Sequence, residues 1–124
     1  MDTALTLYKN FIDDLVDLQQ RGDVVAKRVR EKHLWPETAA PELVKQNKII
    51  ESLSEDDRET MVKMLQAARD GGIHDTLVCL NEQITLNEMR LVINGTELPV
   101  EPFGTEMFYD WVARCEGDAW PDEK

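Results

Sequence analysis

The sequence predicts a mostly α protein, formally α+β: a compact bundle of about six helices with one short β-hairpin near residues 89–99. Three observations carry this prediction. Apolar residues recur at helical spacing through most of the chain, capping residues and glycines separate those segments, and one Asn94-Gly95 pair lies between β-favouring residues. The length of 124 residues fits a single domain, 1–124, whose last residues, 118–124, form an acidic tail.

In the first segment Leu5, Tyr8, Ile12, Leu15 and Gln19 form one stripe, and Gly22 ends that helix. Asp23 caps a second helix, VVAKRVREKHLW, in which Val25, Val29 and His33 are the expected inner row. The prolines of WPETAAPE make residues 35–40 a connecting loop, and Pro41 opens a third helix that buries Leu43, Ile50 and Leu53. Ser54 caps a fourth, with acids at its positive end. Gly71 and Gly72 are the expected left-handed exit from it, so Ile73, Leu77, Leu80 and Ile84 mark a separate fifth helix, antiparallel to the fourth. Asn94-Gly95 accepts the positive φ angles of a tight hairpin turn. Thr105 caps the last helix, with Met107, Phe108, Trp111, Val112 and Cys115 inward, and Gly117 ends it.

The net charge is −11, and it is unevenly distributed. Residues 1–53 carry 9 acids against 8 bases, and residues 54–124 carry 16 against 6. A surface of that sign repels phosphate backbones and anionic lipid, which excludes nucleic acid and membrane as partners and favours a basic protein. The N-terminal stretch lacks the basic and apolar regions of a secretory signal, and no apolar run approaches the ~20 residues that span a bilayer, so a cytoplasmic location is expected. Cys79 and Cys115 are then reduced and read as small core residues. The cysteines and histidines lack zinc-site spacing, and no metal or cofactor is expected. An exposed Trp35 or Trp120 would offer an interface for a homodimer.

The closing Trp120-Pro121-Asp122 matches the acid loop of tyrosine phosphatases, but that chemistry needs an arginine six positions after the nucleophilic cysteine. Thr85 and Pro121 stand there instead. Trp120 is therefore expected to fold the tail back onto the domain. Glu55, Asp56 and Glu59 resemble the first half of the acidic motif of all-helical nucleotide pyrophosphohydrolases, where carboxylates one turn apart hold magnesium. The second half of that motif has no counterpart. Acids at a helix start are explained by the dipole.

The densest polar cluster is Arg69, Asp70, His74 and Asp75 around the glycines, with Tyr109, Asp110 and Arg114 on the last helix and Trp120 beyond it. These eight are the candidate ligand or partner residues. A histidine beside a carboxylate can serve as acid, base or ligand, yet no nucleophile accompanies His74, and no catalytic residue is assigned. GGIHDTLVCLNE, NGTELPVEPFGTE and YDWVARCEGDAWPD together resemble a family of short bacterial proteins classed as a domain of unknown function, over about residues 54–123. The resemblance implies a bacterial, cytoplasmic protein and no catalytic residues. The expected function is a non-catalytic binding protein for a basic partner. The alternative is a small metal-dependent hydrolase, or another small-molecule enzyme, using His74, Asp75 and Asp110.

Overall fold

The computed structural model describes residues 2–124. It contains α1 (Thr3–Arg21), α2 (Val24–Glu31), α3 (Pro41–Ser52), α4 (Glu55–Asn87), strands β1 (Val92–Ile93) and β2 (Thr96–Glu97), α5 (Met107–Cys115) and a closing 3-10 turn, Pro121–Glu123. The fold is mostly helical with one two-stranded antiparallel hairpin, but it has four helices of nine residues or more plus the short α2, fewer than the six expected.

The missing break is at Gly71-Gly72. Both glycines lie inside the 33-residue α4, neither has a positive φ, and a Cβ on either would meet nothing within 4 Å. Glycine weakens a helix interior by about 1 kcal/mol without forbidding it. Apolar anchors on both sides outweigh that cost: Val62, Met61 and Leu65 before the pair, Leu77, Ile73, Leu80 and Ile84 after it.

Contacts divide the chain into two compact units. Unit 1 comprises the segment ending at Arg21 together with Gly71–Lys124, and unit 2 is Gly22–Asp70. In unit 2, Ala26, Val29, Ile50 and Val62 form the core. The Asp23 carboxylate caps α2 by accepting from the Ala26 N–H at 3.0 Å. The helix stops at Glu31, four residues short of the expected end, because Lys32 turns left-handed and the His33 N–H bonds back to Arg28 O. His33 is therefore outside the helix and exposed, and at the other end Ala26, not Val25, lies in the inner row. The released Trp35 exchanges two hydrogen bonds with the Asn47 amide and stacks under the Arg28 guanidinium at 3.4 Å. Ser54 caps α4 as expected, accepting from the Asp57 N–H.

In unit 1 the core gathers Tyr8, Ile12, Val16, Leu77, Met107, Trp111 and Trp120. The hairpin pairs Val92 with Glu97 and Ile93 with Thr96, and Asn94 and Gly95 both take positive φ. Thr105 does not cap α5. Glu106 occupies the cap position without a side-chain bond, and the buried Asn81 of α4 accepts from the Met107 N–H at 3.2 Å instead. Val112, expected inside, is exposed, while Asp110 takes a buried place on that face. Cys79 is exposed and Cys115 only half-buried, so the core expectation fails for Cys79. No helix among the described residues is long and apolar enough to cross a membrane.

Candidate functional site

Amphipathic α5 presents Asp110 and Trp111 to the interior one residue apart, a spacing that brings a carboxylate in with an indole. Asp110 is 4% exposed. Its Oδ2 accepts from the Tyr8 hydroxyl and its Oδ1 from Thr105 Oγ1, each at 2.5 Å. Burying an ionised carboxylate requires such donors. Burial foremost, and then the bond to Asp110, raises the Tyr8 phenol far above its usual range.

One turn further along α5, Arg114 holds Asp13 of α1 bidentately, through Nε at 2.8 Å and Nη2 at 3.1 Å, and its Nη1 donates to Asp118 O. The bond to Asp13 is the main reason its guanidinium is even more basic than usual. Its Cζ lies 4.9 Å from the centre of the Trp120 ring. Trp120 is 3% exposed, between Tyr8 and Phe103. Lys9 completes the attachment of the tail: Nζ lies 2.9 Å from Asp122 and 3.1 Å from Glu123, and the bond to Asp122 is the leading cause of its raised pKa. The acidic tail is thus folded back by its tryptophan, as expected from the sequence.

Against these residues lies a groove of about 190 Å³ whose lining includes Tyr109, Asp110, Arg114, Asp118, Trp120 and Lys124. Four of the eight candidates therefore share one site. His74 and Asp75 pair with each other at 3.3 Å, and His74 stands edge-on to Phe108, outside the groove lining. Arg69 and Asp70 belong to unit 2, where Arg69 reaches to 4.0 Å of Asp23 and Asp70 accepts from Gln66. Among the described residues no three His, Cys, Asp or Glu side chains gather in a way that could hold a metal.

Tyr8, Thr105 and Asp13 complete the site and are absent from the sequence cluster. Tyr8 appeared only as a core residue and Thr105 only as a cap, because their partners lie too far along the chain, or on the wrong helical face, for spacing to connect them.

Fold and groove define a small helical protein with a buried carboxylate at the base of a side-chain-sized cleft. The chain belongs to a family of unknown function (DUF6547), whose model matches residues 1–122. Membership runs through the first half as well as the stretch from residue 54 on which the resemblance rests. No curated protein and no solved structure matches.

Proposed function

We propose that the protein is a non-catalytic binding protein whose unit 1 receives a basic protein partner. The observation that carries this reading is the segregation of charge by structural unit. Unit 1 has fifteen acids against five bases, a net of −10, whereas unit 2 has ten against nine, a net of −1. Eleven of the fifteen acids in unit 1 are exposed, and three of its five bases are already paired within the unit: Lys9, Arg90 and Arg114. What remains is a strongly negative net field that attracts and orients a cationic surface.

The hydrolase alternative has less behind it. Of His74, Asp75 and Asp110 only Asp110 lines the groove, and Glu55, Asp56 and Glu59 stand exposed at the start of α4, where the helix dipole accounts for them.

The test is binding of an arginine-rich polypeptide to the full chain, measured between ionic strengths of about 0.01 and about 1 M, across which the Debye length falls from about 30 to about 3 Å. Affinity should fall steeply with salt. Affinity that stays flat, or no binding at low salt, overturns the reading.

A further inference from the structure

The groove beside α5 has features that a diffuse acidic surface does not require. Asp110 is a buried carboxylate with no cationic partner: no ion pair among the described residues includes it, and its two neighbours are neutral hydroxyls. A carboxylate offers about four lone-pair positions, and Tyr8 and Thr105 occupy one on each oxygen, so acceptor capacity remains. The guanidinium in the same lining, Arg114, is already committed to Asp13 and to Asp118 O. The phenol of Tyr109, 58% exposed, stands in the same lining as a free aromatic face.

Size and charge select the ligand. A space of about 190 Å³ falls below the ~300–1,000 Å³ of pockets that enclose a drug-sized molecule. It suits a single side chain or a short chain of methylenes. An anion would meet Asp110 and Asp118 with only Lys124 uncompensated, inside a unit of net −10. A hard divalent ion needs about six oxygen ligands, far more than this lining supplies. An organic cation on an apolar stem matches most of the lining: charge against Asp110, π face against Tyr109, stem beside Phe103 and Ala113, with Arg114 already engaged by Asp13 and Lys124 the one opposing charge.

We infer that this groove is a binding site for an alkylguanidinium or alkylammonium group, with Asp110 as counter-charge and Tyr109 as aromatic wall. The inference rests on the cationic-partner reading and gives it an anchor. The group could belong to an arginine or lysine side chain of the partner or to a free polyamine; the chemistry is shared, and the sources are separable by experiment.

The test uses the full isotope-labelled chain titrated with N-acetyl-arginine amide, N-acetyl-lysine amide and spermidine, followed by NMR and calorimetry. Shifts should concentrate on Tyr109, Asp110, Asp118 and Trp120. An amino-acid amide that binds more tightly than spermidine identifies a protein side chain as the source, and the reverse identifies a polyamine. Asp110→Asn should weaken the tighter probe by about thirtyfold or more, the low end for truncating a buried charge partner. Because that change also touches Tyr8 and Thr105, Tyr109→Ala serves as the second variant: its side chain is exposed, and its loss should cost about twofold to fivefold in affinity. The inference fails if no probe shifts the groove residues, or if Tyr109→Ala and a folded Asp110→Asn bind like the unaltered chain. An arginine-rich polypeptide that still binds both variants with full salt dependence would overturn the anchor while sparing the acidic-surface reading. No binding of that polypeptide to the unaltered chain would overturn the acidic-surface reading, and the groove inference would then fall too unless spermidine still shifts the groove residues.

Discussion

The Tyr8 hydroxyl donates to Asp110 Oδ2 at 2.5 Å across 102 positions of sequence, in the core of unit 1. The bond fixes α1 against α5 at the point where the groove begins, and Thr105 closes the other side of the carboxylate. A core built from hydrocarbon alone would be simpler, since each buried polar group must be fully bonded to break even. Keeping an acid there holds a carboxyl group in the groove lining in fixed geometry.

Tyr8→Phe should cost about 1–3 kcal/mol at neutral pH, because Asp110 loses one of two donors while remaining buried. The variant should also change the alkaline limb. The folded-state pKa of Tyr8 lies above its unfolded value of about 10, so its contribution is fully present below about pH 10 and is lost as pH rises through the folded value. Denaturant midpoints measured from pH 8 to 11 should fall less steeply for Tyr8→Phe above about pH 10. Parallel slopes would mean that the phenol titrates as in the unfolded chain.

Trp120→Ala should destabilise unit 1 by about 3–5 kcal/mol, the range for emptying a buried aromatic site. The indole is 3% exposed and contacts Tyr8 and Phe103, so its removal also frees Asp122 and Glu123 from Lys9. Chemical denaturation measures the first effect and limited proteolysis near residue 120 the second. A cost below about 1 kcal/mol, typical of a surface change, would show that the tail is not part of the core.

Asp13→Asn should cost only about 0.2–1 kcal/mol, because the pair with Arg114 is half open to water, with side chains 37% and 27% exposed. The loss should shrink at high salt. A larger, salt-independent cost would mean that Arg114 depends on Asp13 as a buried charge depends on its partner.

Local chemistry was legible in the sequence. Asp23 and Ser54 cap their helices and Asn94-Gly95 makes the hairpin, because each of these depends on a few consecutive residues; Trp120 folds the tail back as its large apolar ring in an acidic segment suggests. Three of the eight candidates were legible for the same reason: Tyr109, Asp110 and Arg114 sit within two turns of one helix. What escaped was set by long-range packing. Thr105 looked like a cap by its position, yet its hydroxyl turns to Asp110 while Asn81, 26 positions before Met107, performs the capping. Val25 and Val112 looked like core by hydrophobicity alone, but the buried face falls on Ala26 and Asp110.

The largest misreading, a break at Gly71-Gly72, yields the sharpest stability test. Glycine usually ends a helix by adopting positive φ, as Gly22 and Gly117 do after α1 and α5. Gly71 and Gly72 have no such angle and open space where a Cβ would stand, so alanine fits the existing helix at both positions. Each of Gly71→Ala and Gly72→Ala should therefore stabilise the protein by about 0.4–1 kcal/mol, through the entropy removed from the unfolded chain and the better helix propensity. Urea midpoints for the single and double variants, with far-ultraviolet circular dichroism at 222 nm as the probe of helix content, decide the matter. Loss of stability on either substitution would mean that the chain needs a bend here, and that α4 is two helices in solution.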